Sequence, residues 1–151
     1  MRRIGPWLVL TLLVSVILTG CGDPGSPEDR VRATVTAAEE GAEARDLSRV
    51  MELVADSYSD ERGQDKASIR GLMRGFFLLN QSVHLLVSVD NIEFPADDVA
   101  NAQVTVGMLG NQSQDDWALA AEVHEFDVRL RLVDDEWKLQ SARRVRRGDD
   151  R

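Results

Sequence analysis

The chain has 151 residues, 26 of them acidic and 18 basic, a net charge of −8 at neutral pH and 43% hydrophobic side chains. That balance excludes general nucleic-acid binding, which needs positive charge to displace counterions from phosphates. One cysteine, Cys21, excludes an intramolecular disulfide and a cysteine-based zinc site, and the length suits one domain with a proper core.

Met1, Arg2 and Arg3 make a short positive start, and Trp7 to Leu18 then runs for twelve uncharged, mostly aliphatic residues. That is the length of a secretory signal core and falls short of a membrane span, which takes about 20 residues. Leu18-Thr19-Gly20-Cys21 follows directly. Small residues before the cysteine suit a peptidase cleft that admits an extended backbone with little side chain. This segment resembles the lipobox of bacterial lipoproteins. The resemblance implies cleavage before Cys21, lipid attachment to its thiol and a membrane-anchored protein of the cell envelope. Residues 1–20 are then a signal peptide and 21–27 a lipidated tether. Gly22, rather than Asp, follows the cysteine. By analogy with enteric lipoproteins this implies the outer membrane, facing the periplasm. Loss of the two signal arginines leaves 16 basic against 26 acidic residues, net −10. Such a charge argues against the folded body lying flat on anionic lipid.

Gly22 to Pro27 is too poor in apolar residues to pack, and six extended residues reach about 20 Å. Ser26-Pro27-Glu28-Asp29 is a helix start, with Ser as N-cap, Pro in the first turn and acids at the positive end of the helix dipole. Val31, Val35, Ala38 and Ala42 give this helix a thin apolar stripe up to about Arg45. Asp46 caps a second predicted helix, whose Leu47, Val50, Met51, Val54 and Tyr58 keep helical spacing. Asp65 caps a third, with Ile69, Leu72, Met73, Phe76 and Phe77 as the richest apolar face in the chain. Gly71 and Gly75 within it suggest a close backbone approach.

After Gln81 the period changes to two. Val83, Leu85, Val87 and Val89 alternate with polar neighbours, and the phase shifts at Ile92, as a bulge near Asp90-Asn91 requires. A turn at residues 95–98 leads to a strand carrying Ala102, Val104, Val106 and Met108, then a polar loop over 110–116. Phe126, Val128, Leu130 and Leu132 face one side of the next strand while Glu125, Asp127, Arg129 and Arg131 face the other. Asp134-Asp135 turns it into a last strand carrying Trp137, Leu139 and Val145. Three N-terminal helices followed by a meander of four or more antiparallel strands make an α+β domain over 28–147, with a disordered tail at 148–151. The element order, Val54-Ala55-Asp56-Ser57-Tyr58-Ser59-Asp60 before Gly63, and Glu136-Trp137-Lys138-Leu139 after an acidic turn resemble the NTF2-like superfamily. The resemblance implies a curved sheet wrapped around the helices as a cone, often with a pocket at its open end. That superfamily hosts isomerases, dehydratases and many non-enzymatic domains, so the fold does not choose among them.

Chemistry-bearing residues are few. His84 lies on the face opposite Val83, Leu85 and Val87, while His124 shares parity with Phe126 and Val128. Roughly 10 Å of sheet separates the two histidines, too far for a shared zinc. His124 is placed to act as a general base, but a hydrogen-bonded strand-end histidine is the simpler reading, since no acid of matching parity accompanies it. Tyr58, the single tyrosine, closes the apolar stripe of the second helix and is the other weak catalytic candidate. The chain has no Ser/His/Asp order, phosphate loop or HExxH, and Asp56 to Asp65 lacks the sixth-position glycine and closing Glu of a calcium loop. The residues therefore predict no catalytic set, metal or cofactor. The expected pocket walls are Phe76, Phe77, Phe126, Val128 and Leu130, with Tyr58 and His124 as polar decoration. Arg143, Arg144, Arg146 and Arg147 form the basic cluster, read as edge-strand charge that discourages association. Two functions remain open. One is a non-catalytic envelope domain that binds a small apolar ligand or another envelope protein; the alternative is a pocket isomerase or dehydratase using Tyr58 and His124.

Overall fold

A computed structural model describes residues 25–109 and 121–145. The signal segment, Cys21, the 110–120 region, Arg146, Arg147 and the 148–151 tail lie outside the described residues. Within them the order is α1 (Pro27–Glu43), α2 (Leu47–Glu52), α3 (Lys66–Leu79), β1 (His84–Ala96), β2 (Val99–Leu109), β3 (Ala121–Val133) and β4 (Glu136–Val145). The strands form one antiparallel sheet in the order β1-β2-β3-β4, so β1 and β4 are its edges.

Each helix starts where its cap residue dictates. The Ser26 hydroxyl accepts the Asp29 N–H at 3.1 Å and the Asp29 carboxylate accepts the Ser26 N–H at 3.0 Å, a reciprocal capping box. Asp46 and Asp65 take the N–H groups of Arg49 and Ser68 at 3.0 and 2.8 Å. The close helix approach in this domain falls at Gly41 of α1, where a Cβ would meet Val50 Cγ2 at 3.0 Å. At Gly71 and Gly75 a Cβ would meet nothing within 4 Å, so the expected tight packing of α3 through these glycines does not occur.

α2 is shorter than its apolar spacing predicts. Helical geometry ends at Glu52 because the next residues join the edge of β4: the Leu139 N–H donates to Leu53 O at 2.8 Å and the Ala55 N–H to Leu139 O at 2.9 Å. Tertiary hydrogen bonds thus outcompete a continued helix. Val54 and Tyr58 remain buried, but from an irregular segment rather than a helical face.

Register shifts interrupt the sheet in β1 after Val89 and again between Glu93 and Ala96, and opposite Arg129 and Leu130 in β4. The register of β1 against β2 slips at Asp90, moving the inward parity from Val89 to Ile92. Another slip sits in β4, where Arg129 faces Ser141 and Leu130 faces Leu139, leaving Gln140 as the extra residue. Beyond it Val128 faces Ala142, Phe126 faces Arg144 and Glu125 faces Val145. Val145 consequently lies on the outer side, not on the inner side with Trp137 and Leu139, and Arg144 takes the inward parity. The β3–β4 turn, Asp134-Asp135, has φ of 50° and 64°, the paired left-handed geometry of a two-residue hairpin.

The principal core joins α1 to the sheet: Val31, Ala100, Ala102, Val104, Leu130 and Trp137, with Val35, Ile92, Val128 and Leu132 around them. A second cluster of Ala42, Val50, Phe77 and Val83 ties α3 to α1 and β1, and a third of Met51, Val54 and Tyr58 reaches Leu139.

Candidate functional site

The β3–β4 turn closes one end of the sheet; at the other end, residues 123–126 of β3 and 142–145 of β4 stand beyond the cover of α1. There the 58–64 segment crosses toward α3 and leaves an open groove of about 1270 Å³. Tyr58, Gln64, Ile69, His124, Phe126, Ala142 and Arg144 are among its lining residues. The segment is held in shape by Asp60, whose carboxylate accepts the N–H groups of Arg62 and Gln64 at 2.8 and 2.9 Å. It is fixed to β4 by the Ser59 N–H, which donates to Gln140 O at 3.1 Å.

The polar members are already engaged. Arg144 Nη2 lies 2.5 Å from His124 Nδ1. A guanidinium has only donors, so in this contact Nδ1 stands as the acceptor. The His124 ring meets Phe126 edge-on with centroids 6.3 Å apart. Tyr58 is 4% exposed. Burial raises the pKa of its phenol, the Asp60 charge adds to this, and a hydrogen bond from the Ala142 backbone opposes both. The phenol is therefore protonated at neutral pH and packed beside the strand.

The structure brings together only part of the sequence-predicted set. Tyr58, His124 and Phe126 line one groove. Phe77 is buried with Ala42, Val50 and Val83, and Phe76 packs against that cluster. Leu130 is 2% exposed in the α1–sheet core, and Val128 borders the same core. Cys21 lies outside the described residues. Arg144 is the groove residue that strand alternation alone misses; the signal is the small pair Ser141-Ala142, where a phase slip leaves no trace in hydropathy. Among the described residues no group of three or more His, Cys, Asp or Glu is arranged to hold a metal ion, and no helix is long and apolar enough to cross a membrane.

A shallower groove of about 450 Å³ lies on the face without helices and is lined by polar strand residues, including Asn91, Gln103, Asp127, Arg129 and Arg143. Within it Arg143 pairs with Asp127 at 2.5 Å and with Glu61 at 3.4 Å.

This arrangement of helices and meander matches solved structures across nearly the whole described chain. An NTF2-like protein of unknown function from Shewanella oneidensis MR-1 aligns with a TM-score of 0.62 at 13% identity, covering 78% of this chain and 98% of that one. The chain has an NTF2-like fold. A provisionally assigned dehydratase of the NTF2-like family from Streptomyces avermitilis aligns with a TM-score of 0.65 at 17% identity, over 80% and 95% of the two chains. A provisionally assigned scytalone dehydratase from Novosphingobium aromaticivorans DSM 12444 gives 0.65 at 12% identity, over 79% and 84%. No protein-family model and no curated protein matches the chain in sequence. Identities this low establish the NTF2-like fold and leave activity to the chemistry of the groove.

Proposed function

We propose that this protein is a lipid-anchored component of a bacterial cell envelope whose NTF2-like domain binds a small, largely apolar ligand without transforming it. Leu18-Thr19-Gly20-Cys21 after an uncharged run supports the anchor on Cys21. Gly22 favours the outer membrane, facing the periplasm. The observation that carries the binding reading is the state of the groove's polar groups. Tyr58 is buried, its phenol held protonated chiefly by that burial, and His124 Nδ1 is directed at a cation. Ile69, Phe126 and Ala142 offer apolar wall, while Arg144 offers a charge that would orient an acceptor or anionic end of the ligand. Another envelope protein presenting such a segment is the alternative occupant.

An isomerase or dehydratase reading has one specific observation in its favour: Tyr58 and His124 line the same groove, with Arg144 positioned to orient the imidazole. Acid–base chemistry there would need the buried phenol to become exposed and reach substrate.

Two measurements test the proposal. Metabolic labelling with palmitate should mark the wild type and not Cys21→Ser; label retained in the variant removes the anchor. For the groove, the apolar anion anilinonaphthalene sulfonate should bind the folded protein and lose affinity in Phe126→Ser and Arg144→Met. Unchanged binding in both variants would show that the groove is not the site.

A further inference from the structure

α3 carries an exposed face that the three core clusters do not use. From Lys66 to Val89 the chain runs 24 residues without an Asp or Glu, although it has 26 acids in all. Within that run lie Lys66, Arg70 and Arg74, one helical turn apart. On a helix of 3.6 residues per turn, Ile69, Met73, Phe76 and Phe77 point to the core side. The opposite arc begins at Arg70 and Arg74, crosses Gly71, Gly75 and Leu78, and ends at Leu79 and Leu72. Leu72, Leu78 and Leu79 are 55%, 77% and 87% exposed. Arg70 and Arg74 are exposed and make no ion pair among the described residues, whereas Arg30, Arg32, Arg49, Arg131 and Arg143 pair with acids.

We infer that this outer face of α3 is a contact for an anionic lipid surface, with the leucines entering the headgroup region and Arg70 and Arg74 meeting lipid phosphates. The combination is that of an interfacial amphipathic helix: exposed aliphatic side chains, flanking arginines and no acid. Glycines at 71 and 75 leave the middle of the face open, since a Cβ at either would touch nothing. The net charge of −10 left without the two signal arginines is no obstacle at this face. Charges further away than about 8–10 Å are screened in physiological salt, so the local groups decide the sign of the interaction: Arg70 and Arg74 on the face itself, with Asp56 paired to Lys66 and Asp65 engaged as the N-cap. Charge also selects the occupant. A second copy docked face to face through α3 would oppose two pairs of arginines, whereas a phosphate layer neutralises them. The contact does not depend on the lipid at Cys21, so its failure and the failure of the anchor are separable.

The test uses the chain from residue 21, unlipidated, which retains every residue of the three core clusters. It is sedimented with vesicles of phosphatidylglycerol and phosphatidylcholine in equal parts, and with phosphatidylcholine alone. Partition is expected on the mixed vesicles, weakening as salt is raised, with little on the neutral ones. Arg70→Gln with Arg74→Gln should lower it by about tenfold or more, from about 1 kcal/mol per basic residue at such a surface. Leu78→Ser with Leu79→Ser should reduce it too, with the unfolding temperature of both variants unchanged. Equal binding to neutral vesicles, no binding, or binding indifferent to both variants would overturn the inference. So would a dimer in sedimentation equilibrium that the leucine variant dissolves, or retention of polyglutamate as tight as that of the vesicles.

Discussion

The two ends of the sheet are built from the same strands and finished differently. Toward the β3–β4 turn the inner face is filled: Trp137, Leu130, Ala100 and Val31 are all under 5% exposed, and α1 spans the strands above them. Toward the other end the same strands present Phe126, His124 and Arg144 to an open groove. The change falls at Gln140, where one extra residue in β4 turns a basic side chain inward. The principal core lies at the turn end, and the groove proposed to bind ligand lies beyond the extra residue in β4. A domain of this size can leave one end of its sheet open because the other end supplies a sufficient core.

The sharpest way to break this division is at the filled end. Trp137→Ala should cost roughly 3–5 kcal/mol, as expected for a large aromatic removed from a packed core, and the denaturation midpoint reads it. An unchanged midpoint would mean that the turn end is not where stability resides. Trp137→Phe is a finer probe. The indole Nε1 is buried with no hydrogen-bond partner, so replacing it removes an unsatisfied donor and the loss should be much smaller than for Ala.

Next in size is the junction of α1 and α2. Gly41→Val should cost about 1–3 kcal/mol, because even a Cβ there comes within 3.0 Å of Val50 Cγ2. Gly71→Val, on open helix surface, should lack this packing penalty, and equal losses would show that the glycine at 41 has no packing role.

Smallest are the caps. Ser26→Ala should cost about 1 kcal/mol. It also removes the hydroxyl that holds the Asp29 carboxyl below its ordinary pKa; Ser68 does the same for Asp65, and Lys66 for Asp56. Folded-state values depressed in this way contribute stability above the unfolded pKa. That stability is lost as pH falls through the folded values, so thermal stability should decline below about pH 4. Tyr58 has the opposite sign. Its raised pKa keeps stability intact until the unfolded phenol would ionise, so the decline begins above about pH 10. A flat profile from pH 5 to 2 would show that the caps contribute nothing.

Much of the filled end is legible in the sequence. Ser26, Asp46 and Asp65 mark the three helix starts because each is a side-chain oxygen placed to meet free N–H groups. The bulge at Asp90 is legible because apolar residues sit on both sides of it and change parity visibly, from Val89 to Ile92. Gln140 has no such marker. Ser141 and Ala142 follow, neither of which declares a face, and Val145 happens to continue the old phase. Arg144 therefore reads as solvated edge charge until the register is known. Tyr58 fails for a different reason. Its spacing from Met51 and Val54 is helical, but the hydrogen bonds that Leu139 gives to Leu53 O and accepts from the Ala55 N–H end the helix early and deliver the ring to the groove from a loop.

The measurement that tests the division most directly is complementation of a deletion strain at matched expression, with folding and membrane localisation confirmed for each variant. Phe126→Ser and Arg144→Met should abolish function while leaving the unfolding temperature within a few degrees of wild type, because neither belongs to the buried clusters. Tyr58→Phe and His124→Ala should both retain function, since a binding groove needs its wall and its charge rather than a proton-transfer pair. Loss of function in both Tyr58→Phe and His124→Ala, with folding and localisation intact, would contradict the account and make the groove an active site.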